Sequence, residues 1–315
     1  MKIDIVGGGA LGLLHAAKLA QAGIEITVWT RTESQASILR TEGIRLLDHE
    51  EHRVKVNSEC LSILEAKQMP ELAAHWIILT VKQSHITEEL MQLLGKLGGQ
   101  GASLLCLQNG IGHLEKLAHA LPQYELLAGV TTEGAKRLDA NTVQHTGIGQ
   151  LWFGQMDEKE SKKDENAENP QKLLLNALQL AGFNTFLSNE MNDRIYQKLL
   201  SNAVINPLTA LFDVTNGELP KHPMRERLMK ALYEETSAIL IAAGMNPNPN
   251  GWKIIVELCE ATANNVSSML SDVRAGRPTE IQWINEGISS IARRRAIPSP
   301  LNDAVSVMVS QLTIN

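Results

Sequence analysis

The sequence predicts an α/β protein in two domains: an N-terminal, doubly wound sheet over residues 1–189, then an all-α domain over residues 190–315. Three observations carry that expectation. Short β-branched runs alternate with amphipathic stretches through the first two-thirds of the chain, the pattern of parallel strands joined by helical crossovers. The first run ends in Gly7-Gly8-Gly9-Ala10-Leu11-Gly12, a glycine-rich turn that opens a helix. Beyond Asn189 helical periodicity continues with no further strand.

In chain order, strands are expected at 2–6, 25–29, 76–81, 103–107 and 125–130, with helical patterns such as 11–22 between them. Two strand-like pieces bounded by glycines, 142–145 and 150–153, read as an antiparallel edge of the same sheet or a small β addition. Residues 157–169 mix charges with a single apolar residue, Ala167, and so read as a solvated loop. A helix at 171–181 and a strand at 184–188 follow, which keeps that loop inside the first domain. Helical periodicity then covers 192–212, 224–243, 252–271 and 279–293, with a last helix from Leu301.

Composition narrows the function. Of 315 residues 43% are apolar, enough to bury a core in each domain. The 29 basic residues are outnumbered by 35 acidic ones, a net charge of −6, and Trp, Tyr and Phe number only five, three and four. Neither an attracting field nor a base-stacking surface for nucleic acid is expected. Apolar runs such as 76–79 and 173–175 are far too short to span a bilayer. A strand pattern beginning at Ile3 leaves no room for a secretory signal, so the expected location is cytoplasmic. Cys60, Cys106 and Cys259 form no C-x-x-C, and none of the nine His makes an H-x-x-x-H pair around a carboxylate. No disulfide framework and no metal site is therefore expected.

The glycine cluster fits G-x-G-x-x-G with a strand before it and a helix after it. Gly7 permits a tight turn, Gly9 lets backbone approach a pyrophosphate, and Gly12 allows close packing of helix on strand. The amides of Gly8, Ala10 and Leu11 lie in the same turn, at a helix start that favours anions. The residue ending the second strand selects between dinucleotides, because a carboxylate there accepts from a ribose 2′-hydroxyl. This chain has Thr30 and Arg31 instead, and a guanidinium pairs with a 2′-phosphate, which favours NADP(H). Lys82 and Asn109 follow two further strands, at the sheet edge where ligands bind in such folds.

In the helical domain Lys198, Asn202 and Asn206 recur every four residues in a segment otherwise apolar around most of its circumference. They form one polar stripe on a buried helix, and a buried Lys is costly without a partner or a task. Asn265 and Ser268, three apart, are expected on one helix face. Thr279 with Gln282 has the spacing of a capping box, and Glu280 beside it reads either as a first-turn acid or as a site residue. If a ketone accepts hydride here, the alkoxide needs a positioned acid. No His lies in the polar stripes, which leaves Lys198 for that task.

The chain resembles the ketopantoate reductase (2-dehydropantoate 2-reductase) family over nearly its whole length. The motifs involved are Gly7 to Gly12, Gln108-Asn109-Gly110-Ile111-Gly112, Lys198 through Asn206-Pro207-Leu208-Thr209-Ala210, Thr215-Asn216-Gly217-Glu218-Leu219, Ser267-Ser268-Met269 and Thr279-Glu280-Ile281. The resemblance implies a Rossmann-type N-terminal domain, a C-terminal domain of the 6-phosphogluconate-dehydrogenase type, NADPH as cofactor and a small 2-oxo acid as substrate, in pantothenate biosynthesis. It implies that Lys198 is the proton donor and that Asn202, Asn206 and Asn216 contact substrate. Ser268 and Asn265 would hold the substrate carboxylate, and Glu280 would lie by the substrate hydroxyl and the nicotinamide ribose. Arg31 and Lys82 would bind the 2′-phosphate end, with Asn109 and Ala135 on the nicotinamide side. A reductase of another branched 2-oxo or 3-oxo acid stays open, as does a non-catalytic NADPH sensor, though a sensor has no need of the Lys–Asn stripe. The oligomeric state is also open, a homodimer included.

Overall fold

A computed structural model of the chain describes residues 1–48, 53–66, 74–156 and 170–313. The charged stretch 157–169 lies outside the described residues. Two compact units emerge: Met1–Gln108 with His113–Met191, and Asn109–Gly112 with Asn192–Asn315.

The strands of the first unit are β1 (Lys2–Val6), β2 (Glu25–Thr30), β3 (Ile44–Leu47), β4 (Arg53–Val56), β5 (Glu59–Ser62), β6 (Ala74–Leu79), β7 (Gly98–Cys106), β8 (Glu125–Thr131), β9 (Gly134–Arg137), β10 (Thr142–Gly147), β11 (Leu151–Gly154) and β12 (Thr185–Leu187). Its helices are α1 (Ala10–Gln21), α2 (Glu33–Glu42), α3 (Ile63–Ala66), α4 (Glu88–Leu97), α5 (His113–Ala120) and α6 (Pro170–Leu180). Eight strands form the main sheet in the order β12-β11-β8-β7-β6-β1-β2-β5, parallel except where β11 runs against β8. Burial explains why these strands read as unbroken apolar runs rather than alternating ones. Ile5 pairs with Val28 on one side and Ile78 on the other, facing Leu13 and Leu14 of α1. The next residues, Val6, Ile77 and Leu79, face the opposite layer with Leu90 and Leu94 of α4.

The order β2-β1-β6 places a topological switch between β1 and β6, the position where such sheets open a crevice at their carboxyl ends. Of the two expected pieces β11 is the antiparallel one, Phe153 opposite Gly129, but it is not the edge, because β12 pairs outside it. The other piece does not belong to that sheet. β10 lies in a separate four-stranded sheet, β4-β3-β10-β9, parallel to β3 and antiparallel to β9. Strands of four residues, such as β3, give too little alternation to be separated from a loop by periodicity alone.

The second unit is helical: α7 (Met191–Phe212), α8 (Glu218–Lys221), α9 (Pro223–Ala242), α10 (Gly251–Ala261), α11 (Ser268–Arg274), α12 (Asn285–Arg294) and α13 (Pro300–Gln311). Its core joins Leu199, Val204, Leu208, Leu232, Ile239, Ile288 and Val309. The helix expected over 252–271 is two helices. α10 ends at Ala261, six residues intervene, and α11 starts at Ser268, where Ser267 Oγ accepts from the Leu270 amide. Asn and Ser side chains compete for backbone donors and so favour this break. The capping box at Thr279 does not form. The segment enters a 3-10 turn, Ile281–Trp283, with no side-chain cap, and α12 begins afterwards. Among the described residues no helix is long and apolar enough to cross a membrane.

Phe153 on β11 is fully buried. Phe153→Ala should therefore lower unfolding free energy by about 3–5 kcal/mol in urea titrations followed by circular dichroism.

Candidate active site

The nucleotide end of the first unit is built on close backbone packing. Gly7 has φ +123°, and Thr80 Oγ1 donates to the carbonyls of Val6 (3.1 Å) and Gly7 (3.0 Å), fixing the turn at the switch between β1 and β6. A Cβ at Gly12 would overlap the Gly7 carbonyl oxygen, so α1 can reach this depth only with glycine there. The Gly8 carbonyl is held by Gln35 Nε2 at 2.8 Å and Arg137 Nη1 at 3.0 Å. A Cβ at Gly9 would meet nothing within 4 Å, and Gly9 caps α1 without a side-chain bond. The first turn of α1, which holds Ala10 and Leu11, carries no acid. Open amides, no carboxylate and an uncrowded approach fit a pyrophosphate.

Arg31 is exposed just past β2, and its Nη1 lies 3.4 Å from His85 Nε2. Lys82 is half-buried before the short turn Gln83–His85. Burial, then Arg31 and Lys82, hold the His85 imidazole below its ordinary pKa. Two cations, Arg31 and Lys82, and the His85 imidazole thus gather past β2 and β6. Sequence reasoning missed His85, Thr80, Gln35 and Arg137. Each is a single residue outside any motif or periodic pattern, so none had a readable signal. Ala135 lies on β9 opposite His145, whose Nε2 stands 2.6 Å from Glu133 Oε2 in a buried pair.

In the second unit the polar stripe is physically distinct. Lys198, Asn202 and Asn206 are half-buried along α7, among buried Leu199, Ala203, Val204 and Leu208. Desolvation lowers the Lys198 ammonium to a pKa of about 8, and the Glu280 carboxylate pulls the other way. Glu280 is itself 8% exposed and accepts from Asn109 Nδ2 at 3.0 Å. The short segment carrying Asn109 is fastened by the Ile111 amide, which donates to the Trp283 carbonyl. Glu280 is therefore a buried, oriented carboxylate rather than an exposed first-turn acid.

The break between α10 and α11 brings two motif blocks together. The Asn216 amide donates to the Asn265 carbonyl, Gly217 N to Ala263 O, and Asn216 Nδ2 to Thr262 Oγ1 at 2.9 Å. Buried Asn216 Oδ1 has no hydrogen-bond partner. Ser268 opens α11 exposed, while Asn265 precedes that helix in non-helical chain. The shared helix face expected for Asn265 and Ser268 is thus replaced by a loop, for the capping reason given above. Ser267, buried behind Ser268, accepts from Thr209 Oγ1 at 2.7 Å and so ties α11 to α7. Among the described residues no group of three His, Cys, Asp or Glu is placed to hold a metal.

A Rossmann-type nucleotide fold followed by a helical unit carrying a half-buried Lys and a buried Glu defines an oxidoreductase of the two-domain dehydrogenase type. Family comparison is more specific: residues 3–158 match the model for ketopantoate reductase PanE/ApbA, and residues 190–313 match its C-terminal counterpart. The chain belongs to the ketopantoate reductase family. It is 33% identical to the 2-dehydropantoate 2-reductase of Bacillus subtilis (strain 168) over 90% of this chain and 88% of that protein. It is 28% identical to the one from Vibrio cholerae over 99% and 98%. A crystal structure of a probable 2-dehydropantoate 2-reductase from Bacillus subtilis superposes with a TM-score of 0.80 at 28% identity, covering 99% of this chain and 100% of that one. The fold is shared with a D-mandelate dehydrogenase solved with NADH and anilino(oxo)acetate, TM-score 0.88 at 22% identity over 99% and 98%.

The geometry around Lys198 makes its protonation measurable. Reductive methylation at this residue, read by mass spectrometry against pH, should show a midpoint near 8. In Glu280→Gln the midpoint should fall further, because desolvation then acts without the opposing carboxylate.

Proposed function

We propose that the chain catalyses NADPH-dependent reduction of 2-dehydropantoate (ketopantoate) to pantoate, a step toward pantothenate and coenzyme A. The observation that carries this reading is the half-buried Lys198, held near pKa 8 beside an Asn109-oriented Glu280, in a family whose named relatives are 2-dehydropantoate 2-reductases.

Bound NADPH would supply hydride to the 2-oxo carbon. As that bond forms, the carbonyl π pair moves onto oxygen, and Lys198 delivers a proton from Nζ to the nascent alkoxide. Solvent then reprotonates the lysine. A pKa near 8 suits the task, since the ammonium is present at neutral pH and gives up its proton readily. Asn202 and Asn206, one and two helical turns on, are spaced to orient the substrate along α7. Ser268 and Asn265 would take the carboxylate, leaving the lysine charge for the ketone oxygen. Glu280 would accept from the 4-hydroxyl. Arg31, Lys82 and His85 would hold the 2′-phosphate.

The D-mandelate dehydrogenase likeness supports a second reading, a reductase of a different 2-oxo acid, because one fold serves both chemistries. Relative kcat/KM for ketopantoate and for the acid lacking its 4-hydroxyl separates the two. A site built to bond a hydroxyl rejects the analogue without it, and Glu280→Ala should shrink that preference as well as the rate. Equal use of both acids by the wild type would favour the second reading.

Lys198→Ala should bind NADPH normally and lose roughly 10²–10⁴-fold in turnover, the span of one general acid. Wild-type kcat/KM should fall as pH rises through about 8, because the deprotonated lysine has no proton to give. Unchanged turnover would remove Lys198 from the mechanism. Arg31→Ala should erase most of a preference for NADPH over NADH of about ten- to a hundred-fold, measured as Kd by nicotinamide fluorescence.

A further inference from the structure

Pro207 interrupts α7 immediately after Asn206. A proline has no N–H, so the carbonyl four residues earlier, that of Ala203, loses its helical donor. Ala203 is fully buried and water cannot replace the lost bond. The donor comes instead from another helix: Asn285 Nδ2, at the start of α12, lies 2.9 Å from the Ala203 carbonyl oxygen. Asn285 is fully buried as well, and the same Nδ2 also donates to Asn302 Oδ1 at 3.0 Å. Both partners are acceptors, which fixes the orientation of the amide. Asn302 is fixed in turn, since its Nδ2 donates to Glu235 Oε1 at 2.9 Å and to Thr236 Oγ1 at 3.0 Å. Asn285 Oδ1 makes no hydrogen bond, so this buried amide is held for what its NH2 group does.

Location gives that bond its meaning. Ala203 directly follows Asn202 and lies three residues before Asn206, so its carbonyl sits in the same turn of α7 as the polar stripe. Asn285 lies five residues after Glu280 as the first residue of α12, and only the 3-10 turn Ile281–Trp283 and Ile284 separate the two. We propose that Asn285 is a positioning residue: its amide is the strut that joins the proline-interrupted turn of α7 to the segment bearing Glu280, and so sets the spacing of Lys198 from Glu280. This rests on Lys198 as the acid. With the strut removed, Glu280 pulls less on the Lys198 proton, desolvation prevails, and the alkaline limb of kcat/KM moves to lower pH.

The test is a double-mutant cycle on the full-length protein. Asn285→Ala should move the alkaline limb down by about half a pH unit and cut kcat roughly ten-fold, with NADPH Kd unchanged. Pro207→Ala restores an N–H to the Ala203 carbonyl, so in that background Asn285→Ala should shift the limb far less. Leu232→Ala, a cavity in the same core, should lower Tm without moving the limb. If Asn285→Ala is insoluble, Asn285→Ser, with a shorter donor, should give the same direction of shift. An unmoved limb in either Asn285 variant, or effects of the two sites that simply add, would overturn the proposal. Retained turnover in Lys198→Ala would instead overturn the reading on which it rests.

Discussion

Taking an ammonium out of water costs more than it returns unless something nearby prefers it charged. The helical unit is arranged around that constraint. Apolar side chains cover most of α7, and they are what lowers the proton affinity of Lys198. The Glu280 carboxylate opposes that lowering, and Asn109 keeps Glu280 aimed. Each member is tolerable only because the next is in place. An unpaired Glu280, 8% exposed, would be as costly as an unpaired lysine.

The nucleotide end obeys a different constraint, one of volume rather than charge. Gly7 and Gly12 let a helix, a strand end and Thr80 occupy the same few ångströms, and Gly9 leaves the space in front of them open. The turn itself is tied down: the Gly7 amide donates to the Trp29 carbonyl, the Gly7 carbonyl accepts from Thr80, and the Gly8 carbonyl accepts from Gln35 and Arg137. The basic residues past β2 and β6 add charge to a shape already set by glycine.

Much of this was legible in the sequence where periodicity and spacing are strong. The parallel strands at 2–6 and 25–29, the stripe every four residues on α7 and the glycine turn all follow from patterns at least one element long. What was not legible depended on contacts between distant segments. The second sheet is built from short strands far apart in the chain, β3 at Ile44 and β10 at Thr142. The break between α10 and α11 is capped locally by Ser267, but it is also held by backbone bonds from Asn216 and Gly217, some fifty residues earlier, which no helical wheel contains. Glu280 could be read as an ordinary first-turn acid until Asn109 was seen beside it. His85 escaped because one exposed histidine near a lysine carries no periodic signal.

Four residues, Asn109–Gly112, cluster with the helical unit although the chain on both sides of them belongs to the nucleotide-binding one. The boundary is therefore crossed three times rather than once. A chimera joined near residue 190 would pair Glu280 with the asparagine of a foreign first domain, and a helical fragment expressed from 190 onward would lack that asparagine entirely. Exchange of modules, in evolution or at the bench, has to carry this short segment along with the helices. Variation at 109–112 is then expected to follow the sequence around Glu280 and Trp283 more closely than that of the flanking strands.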